Sequence, residues 1–531
     1  MDEFKISIQT YRYRITTSQV HWFLFLIILG LGIFARTWEF HSLPPGLNPD
    51  EASIGVEAFD LLHYGMDRNG IQFPVQFISW GGGQNALYGY ILIPFIAFMG
   101  LTPFAVRLPM LLSGIAALPL SYYVAKETLN EDFGLLSMFF LAISPWHIML
   151  SRWGLESNLF PFVFLAGFTC LLNVRKNDKW FIAASSWMGL SFYAYGTAYA
   201  MIPIFAVCAI AILIQHKLLT LKSLTIGLMV LIVLSLPIGM FILVNAYDLN
   251  PIQIGPVTIP HFPVEARFVA TTVFSAASQF QVIRNNLSTA TDLLVTQSDG
   301  LPYNAIDPYG YFYKVTFPLE LMGIALLLIG LKSDKRIENA LLLTWIGASL
   351  PIPMLQQVNI NRSNIIFFPL ILCIALTVYW LGRRSKVVFV ASVVGLLAGF
   401  VFFTISYHGK EYRQQVSLEF HDGLLPALEF AQSIESIPIC VGDRSNPYIF
   451  ALFTEHTTPT NYLKSVKYSN PKGPVRYVSS FGRYTFGWSN CHDSPVPIRI
   501  LIKGSIAPIA PLGYTYNVKY FNSYAVYYPT H

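Results

Sequence analysis

Residues 223–245 read SLTIGLMVLIVLSLPIGMFILVN, a run without a charged side chain that follows Lys217 and Lys222. An α-helix needs about 20 apolar residues to cross the hydrocarbon of a bilayer, so this stretch predicts a transmembrane helix. Outward in both directions, runs of the same character recur at 20–36, 104–125, 133–150, 159–174, 180–196, 199–215, 316–331, 338–355, 363–381 and 387–405. An all-α polytopic membrane protein of about 11 transmembrane helices is therefore expected. Composition agrees, because 54% of the 531 residues are hydrophobic and only 12% are charged, about half the charge of a soluble domain. The net charge of +5 sits mainly in short loops, where Lys and Arg set orientation, so no nucleic acid partner is implied. Val20 to Ala35 leads into Arg36, Thr37 and Trp38 without a small-residue cleavage site, and the first run reads as a retained helix.

Loop charge gives sidedness. Lys5, Arg12 and Arg14, then Lys126, then Arg175, Lys176 and Lys179, then Lys217 and Lys222, then Lys332, Lys335 and Arg336, then Arg383, Arg384 and Lys386 fall in every second connection. The positive-inside rule places these in the cytoplasm. The N-terminus is then inside, and the loops 37–103, 151–158, 246–315 and 356–362 are extracytoplasmic, with everything after residue 405. The apolar segment 86–99 contains Pro94 and is short for a span, so it is expected to lie along the outer interface or to dip in and return. Residues 1–405 form the transmembrane domain. Residues 406–531 are expected to form a small α/β domain, with helical spacing over 411–434 and strands near 437–441, 475–479, 498–502 and 524–528. Cys170, Cys208 and Cys373 lie in apolar runs, whereas Cys440 and Cys491 fall in this polar tail, where a disulfide and two free thiols are both open. The sequence carries no nucleotide-binding glycine motif, which speaks against a sugar-nucleotide donor.

The first outer loop contains Asn48-Pro49-Asp50-Glu51-Ala52, two adjacent carboxylates after a proline-stiffened turn. Either acid can cap the helix that follows, and either can act as a base. The second outer loop is Ser151-Arg152-Trp153-Gly154-Leu155-Glu156-Ser157-Asn158. Taken alone, its Arg and Glu make a surface ion pair of about 0–1 kcal/mol. Topology places them on the same face as Asp50 and Glu51, against apolar walls that raise carboxylate basicity. Gln356-Gln357-Val358-Asn359-Ile360-Asn361-Arg362 is a third polar connection, whose arginine either snorkels to lipid head groups or clamps a phosphate with its planar fork. The long loop ends in turn formers that include Tyr303 and Asn304; its length exceeds what a connector needs.

The order Asp-Glu in the first loop, Arg-Leu-Pro at 107–109, and Ser-Arg…Glu-Ser-Asn in the second loop resembles the membrane glycosyltransferases of the C-type fold. Within them it is most similar to the protein O-mannosyltransferases and to the bacterial transferases related to the lipid A aminoarabinose transferase. The resemblance covers residues 20–375 in organisation, with its sharp motifs at 48–52 and 151–158. It implies a polyprenyl-phosphate-linked sugar donor, a base at Asp50 and a phosphate-holding arginine at Arg152. The chain departs from some relatives in having Glu156 where they have Asp, and it has no His-rich insert like that of the eukaryotic mannosyltransferases.

The expected reaction is an inverting transfer to a glycan, lipid or protein hydroxyl on the extracytoplasmic face of a plasma membrane. Asp50, with Glu51 beside it, takes the acceptor proton, Arg152 and Arg362 neutralise the leaving phosphate, and Glu156 orients acceptor or sugar. Asn48, Asn158, Tyr303, Asn304 and Asn361 are the expected substrate-binding residues. No metal or other cofactor is favoured, although paired carboxylates can hold a divalent cation. The rival readings are a lipid-linked glycan flippase or transporter, and an O-antigen-type ligase or polymerase that takes a diphosphate-linked donor.

Overall fold

The computed structural model describes residues 17–265, 272–275, 277–434, 437–443, 446–473, 475–492, 498–506, 508 and 515–530. Lys5, Arg12 and Arg14 of the charge pattern lie outside them. Every apolar run carries helix. Among the described residues, seven helices are long and apolar enough to cross a membrane unaided: Gln19–Thr37, Pro103–Thr128, Glu156–Arg175, Ala198–Gln215, Leu221–Ala246, Ile360–Gly382 and Lys386–Tyr407. The other runs give shorter helices, Glu131–Ile143, Trp180–Ala194, Phe317–Gly330 and Arg336–Ser349. All eleven expected runs are thus helical, seven of them of full spanning length and four shorter. Proline is one reason. Run 133–150 breaks at Ser144, which takes the extended backbone (φ −65°, ψ 123°) that a following proline favours, and a short helix Pro145–Leu150 resumes after it.

The polar segment between the first two long helices folds on its own terms. Asn48 caps the helix Pro49–Tyr64, with its side chain accepting from the Asp50 N–H and the Glu51 carboxylate reaching back to the Asn48 N–H. This reciprocal pairing satisfies two otherwise orphaned donors. A two-strand hairpin follows, Gln76–Phe77 against Gln84–Asn85, and then the 13-residue helix Leu87–Met99 that contains Pro94.

The tail builds a seven-stranded mixed sheet. Its central strand Ile439–Gly442 runs parallel to Ile498–Ile502 on one side and to Tyr484–Phe486 on the other. The hairpin Thr515–Phe521 and Tyr524–Thr530 extends one edge, and Val478–Phe481 with Lys467–Tyr468 extends the other. Cys440 and Cys491 form a disulfide that fastens the short helix Trp488–His492 to the central strand, which closes the alternative that the sequence left open. The single helix expected over 411–434 is instead two, Lys410–Val416 and Leu424–Ser433, because the chain turns through His421 (φ 47°) and Gly423 (φ 94°).

That turn carries Phe420 down onto the first loop. Its carbonyl accepts the Leu47 N–H at 2.6 Å, and its ring lies against Trp153, Tyr303 and the Arg107 guanidinium. Gly46 allows this approach, since a Cβ there meets the Phe420 oxygen at 2.2 Å. Gly46→Ala is therefore expected to lower the unfolding temperature well beyond Gly65→Ala. Both sites have φ of 67°, but at Gly65 the nearest atoms are 3.7 Å away, so the difference between the two variants, about 1–3 kcal/mol, reads the clash alone. Equal destabilisation of the two would remove the Phe420 contact as the cause.

Candidate active site

A cavity of about 400 Å³ opens beside the start of the helix Pro49–Tyr64. Asp50, Glu156 and Arg362 all line it, with the amides of Gln76, Asn85 and Asn361 and the rings of Tyr195 and Tyr199. Three charged groups from loops more than a hundred residues apart in sequence thus share one space. Asp50 reaches it because Pro49 and Asn48 start the helix there, so the carboxylate projects from the first turn. The Trp80 indole N–H donates to Asp50 Oδ1 at 2.8 Å. Among the described residues, Asp50 Oδ2 has no protein donor. Trp80 achieves this with φ of 54°, and the chain then passes through Gly81 and Gly83, both at positive φ. At Gly83 a Cβ meets the Phe262 ring at 2.4 Å, so glycine is required by space as well as by backbone conformation.

Glu156 is the first residue of its helix and only 9% exposed, where the positive end of the helix dipole favours its negative charge. The Gln84 side-chain N–H₂ donates both to Glu156 Oε2 (3.1 Å) and to the main-chain oxygen of Asp50 (3.3 Å). The third charged group, Arg362, sits in the first turn that Asn359 caps. Its Nη1 donates to the Gln357 carbonyl and side chain, while Nε and Nη2 have no partner among the described residues.

Several expected site residues lie elsewhere. Glu51 is fully buried, and both its oxygens are taken: Arg107 Nε and the Gly154 N–H donate to Oε1, and Arg107 Nη2 and the Asn48 N–H donate to Oε2. A carboxylate so saturated has no free lone pair for an acceptor proton, so its expected catalytic part is corrected to a structural one. Arg152 is likewise fully buried, and its guanidinium donates to the carbonyls of Ala35, Arg36, Trp38 and Leu43. It ties the end of the first long helix to the loop after it and does not reach the cavity, which corrects its expected phosphate role. Asn48 is spent on the cap, Asn158 donates to Leu150 and Trp153, and Asn304 donates to Asp299. Tyr303 packs against Trp153 and Phe420. Of the substrate-binding residues expected, Asn361 alone lines the cavity. Gln84 was not foreseen as a site residue, although Gly81-Gly82-Gly83-Gln84-Asn85 announces a backbone that must come close to something.

Behind the cavity lies a buried acid cluster. Arg68 pairs with Glu57 at 3.1 Å, and Asp60 and Asp67 stand close by, at 2% and 0% exposure. Burial, reinforced by the neighbouring Glu57, pushes the Asp60 carboxyl up to about 9 and that of Asp67 up to about 8. Among the described residues the oxygens Asp60 Oδ2 and Asp67 Oδ2 have no hydrogen-bond partner, which costs a neutral carboxyl less than a carboxylate.

The solved structure of ArnT from Cupriavidus metallidurans bound to undecaprenyl phosphate superposes with a TM-score of 0.58 and 12% identity, covering 96% of this chain and 98% of that one. The fold is that of the C-type membrane glycosyltransferases. The Archaeoglobus fulgidus oligosaccharyltransferase, in complex with Zn and sulfate, shares this C-type fold with a TM-score of 0.54 and 12% identity over 90% of this chain and 68% of that one. The same archaeal enzyme is also solved with an inhibitory peptide and a dolichol-phosphate (TM-score 0.51, 11% identity, 91% of this chain and 69% of that one). In sequence, the family described as dolichyl-phosphate-mannose-protein mannosyltransferase matches residues 86–240. YycA of Bacillus subtilis (strain 168), whose assignment as a mannosyltransferase is itself provisional, is 28% identical over 100 residues. That match spans 18% of this chain and 15% of YycA. Both comparisons are thus with glycosyltransferases, and the apolar helices make this chain a multi-pass membrane protein.

The acid cluster gives a prediction with a definite sign. Each raised carboxyl binds its proton more tightly folded than unfolded, so stability is lost as pH rises from the ordinary carboxylate range near 4 toward 8 and 9, and levels beyond. Asp60→Asn is expected to flatten that slope in unfolding temperatures of the detergent-purified protein. An unchanged slope would place the proton elsewhere.

Proposed function

We propose that this chain is an inverting glycosyltransferase that moves a sugar from a polyprenyl-phosphate carrier to an acceptor hydroxyl. The observation that carries the reading is the sharing of one cavity by Asp50, Glu156 and Arg362. Such a reaction needs a base for the acceptor proton and a cation for the departing phosphate. Asp50 fits the first role, because Trp80 fixes Oδ1 and Oδ2 remains to accept the proton. Arg362 fits the second, with its Nε and Nη2 available as a fork of donors. With Arg152 committed to backbone carbonyls, the phosphate role rests on Arg362. Glu156 orients sugar or acceptor hydroxyls.

A single displacement, with base and leaving phosphate on opposite sides of the anomeric carbon, inverts that centre. The apolar side chains Ile352, Leu355 and Phe274 also line the cavity, a suitable path for the isoprenoid chain. Among the described residues a single guanidinium lines the cavity, in keeping with a monophosphate-linked sugar. The undecaprenyl phosphate and dolichol-phosphate held by the two solved relatives support a carrier of this class. The lysine and arginine pattern supports a cavity on the extracytoplasmic face, and a plasma membrane is the proposed location.

The reaction is proposed to run without a metal. Loss of transfer with EDTA and its recovery with Mg²⁺ or Mn²⁺ would overturn that part.

Asp50→Asn is expected to lower kcat by about 10²–10⁴-fold in proteoliposomes supplied with a radiolabelled polyprenyl-phosphate sugar, with the variant still folded and still binding donor. Arg362→Ala is expected to weaken the donor step by about 10- to 100-fold. Full activity of the Asp50 variant would remove the base.

A further inference from the structure

Gln84 stands behind the two carboxylates, 3% exposed, and does not itself line the cavity. A side-chain amide has a donor end and an acceptor end, and here the surroundings fix which faces which. The Ser53 hydroxyl donates to Gln84 Oε1 at 3.0 Å. Ser53 Oγ in turn accepts from Arg68 Nη1 at 2.9 Å and lies 2.9 Å from Ser79 Oγ, which accepts from Arg68 Nη2 at 3.3 Å. Since the arginine has donors only, both hydroxyl oxygens receive from it and each must spend its own proton elsewhere. Ser79 gives its proton to Ser53, and Ser53 gives its proton to Gln84 Oε1. The amide N–H₂ is left facing the Glu156 carboxylate and the Asp50 carbonyl.

Reversing the amide would set Oε1 against two acceptors, with no proton between any of them, in a site where unmet polar groups are costly. Every donor in the chain therefore points one way, from the Glu57-paired Arg68 to the cavity. Arg68, Ser53, Ser79, Glu57 and Gln84 are all at most 3% exposed, so water does not compete for these bonds.

We propose that Gln84 is a positioning residue that ties the Glu156 carboxylate to the Asp50 end of the neighbouring helix, with its amide orientation set by the Arg68–Ser53–Ser79 relay. It holds the carboxylate at a fixed place relative to Asp50. Gln84 donates to Glu156 and to the main chain of Asp50, and it reaches the substrate only through them. The strand pairing that places it is the Phe77 to Gln84 register of the hairpin. This role rests on the glycosyltransferase reading for its consequence in turnover, though not for its geometry.

The test exchanges the amide for a carboxyl of the same shape. Gln84→Glu sets a second acid against Glu156, and one of the two must keep a proton. That group has a folded-state affinity for its proton above the unfolded one, so the variant, compared with wild type, loses stability as pH rises through the neutral range. The double exchange Gln84→Glu with Glu156→Gln restores one amide and one carboxylate with the ends reversed, and should cancel the added slope. Both are read as unfolding temperature against pH on the full chain in detergent, without substrate. In transfer assays, Gln84→Glu is expected to lower kcat by about 10- to 100-fold, with donor KM nearly unchanged and the acid limb of the kcat–pH profile moved up by about one unit. Gln84→Leu, which removes a donor from Glu156 without adding a charge, loses kcat to a similar degree and moves that limb by less.

A wild-type pH dependence of unfolding in Gln84→Glu, or an added slope that the double exchange leaves in place, would overturn the tether. If the wild-type chain transfers nothing from any polyprenyl-phosphate sugar, the glycosyltransferase reading falls, while the unfolding measurements still decide the place of Gln84.

Discussion

The ion pair between Glu51 and Arg107 is the constraint on which the site depends. Arg107 grips Glu51 through Nε and Nη2, both at 2.8 Å, and donates to the carbonyls of Pro44 and Gly46. Glu51 also takes the N–H groups of Asn48 and Gly154. Three chain segments are thereby joined: the turn before the helix Pro49–Tyr64, the long helix Pro103–Thr128, and the loop that leads to Glu156. Two charges buried this completely are tolerable only because both oxygens of the one and all three nitrogens of the other are hydrogen-bonded. Removing either partner from such a pair costs about 3–5 kcal/mol, and here it would also free the two loops that bring Asp50 and Glu156 together.

Adjacent acids have divided the work. Successive residues of a helix project about 100° apart, so Asp50 and Glu51 cannot face the same space. Glu51 turns inward to the pair with Arg107, and Asp50 is left to the cavity. The second loop shows the same division over a slightly longer reach. Arg152 turns inward and fastens the end of the first helix through four carbonyls, whereas Glu156 starts the next helix and faces the cavity. In each loop one charged residue builds the scaffold and its neighbour occupies the site.

This division explains what the sequence discloses and what it withholds. Apolar runs disclose the helices, because hydrocarbon admits little else. Alternating loop charge groups Asp50, Glu156 and Arg362 on one face, and the cavity contains all three. The choice between Asp50 and Glu51, or between a phosphate and four carbonyls for Arg152, depends on partners far along the chain, and no local pattern records it. The same holds for Trp80 and Gln84. Their part follows from a positive φ at Trp80 and from a hairpin only two residues wide on each strand, too short to show the alternation by which strands are usually read. In the tail, strand positions were legible to within a few residues, but the helical spacing over 411–434 hid a break. The break exists for a tertiary reason, the descent of Phe420 onto Leu47.

That descent is one of the places where the tail touches the elements around Asp50. Another lies at Trp80, whose carbonyl accepts the Arg476 N–H at 2.9 Å and whose ring meets Tyr448 edge-on. One contact therefore bears on the turn that starts the helix of Asp50, and the other on the indole that orients its carboxylate. Between them the helix Tyr448–Glu455 packs on Pro49–Tyr64, with Phe453 against Gly55 and the neighbouring His456 stacked on Phe59. The sheet domain is thus continuous with the first loop rather than appended to the helices. Because Asp50 is held from its backbone and from its side chain by parts of the chain that both rest on this domain, a change in the packing of the tail is transmitted to the carboxylate without crossing the membrane-spanning helices at all.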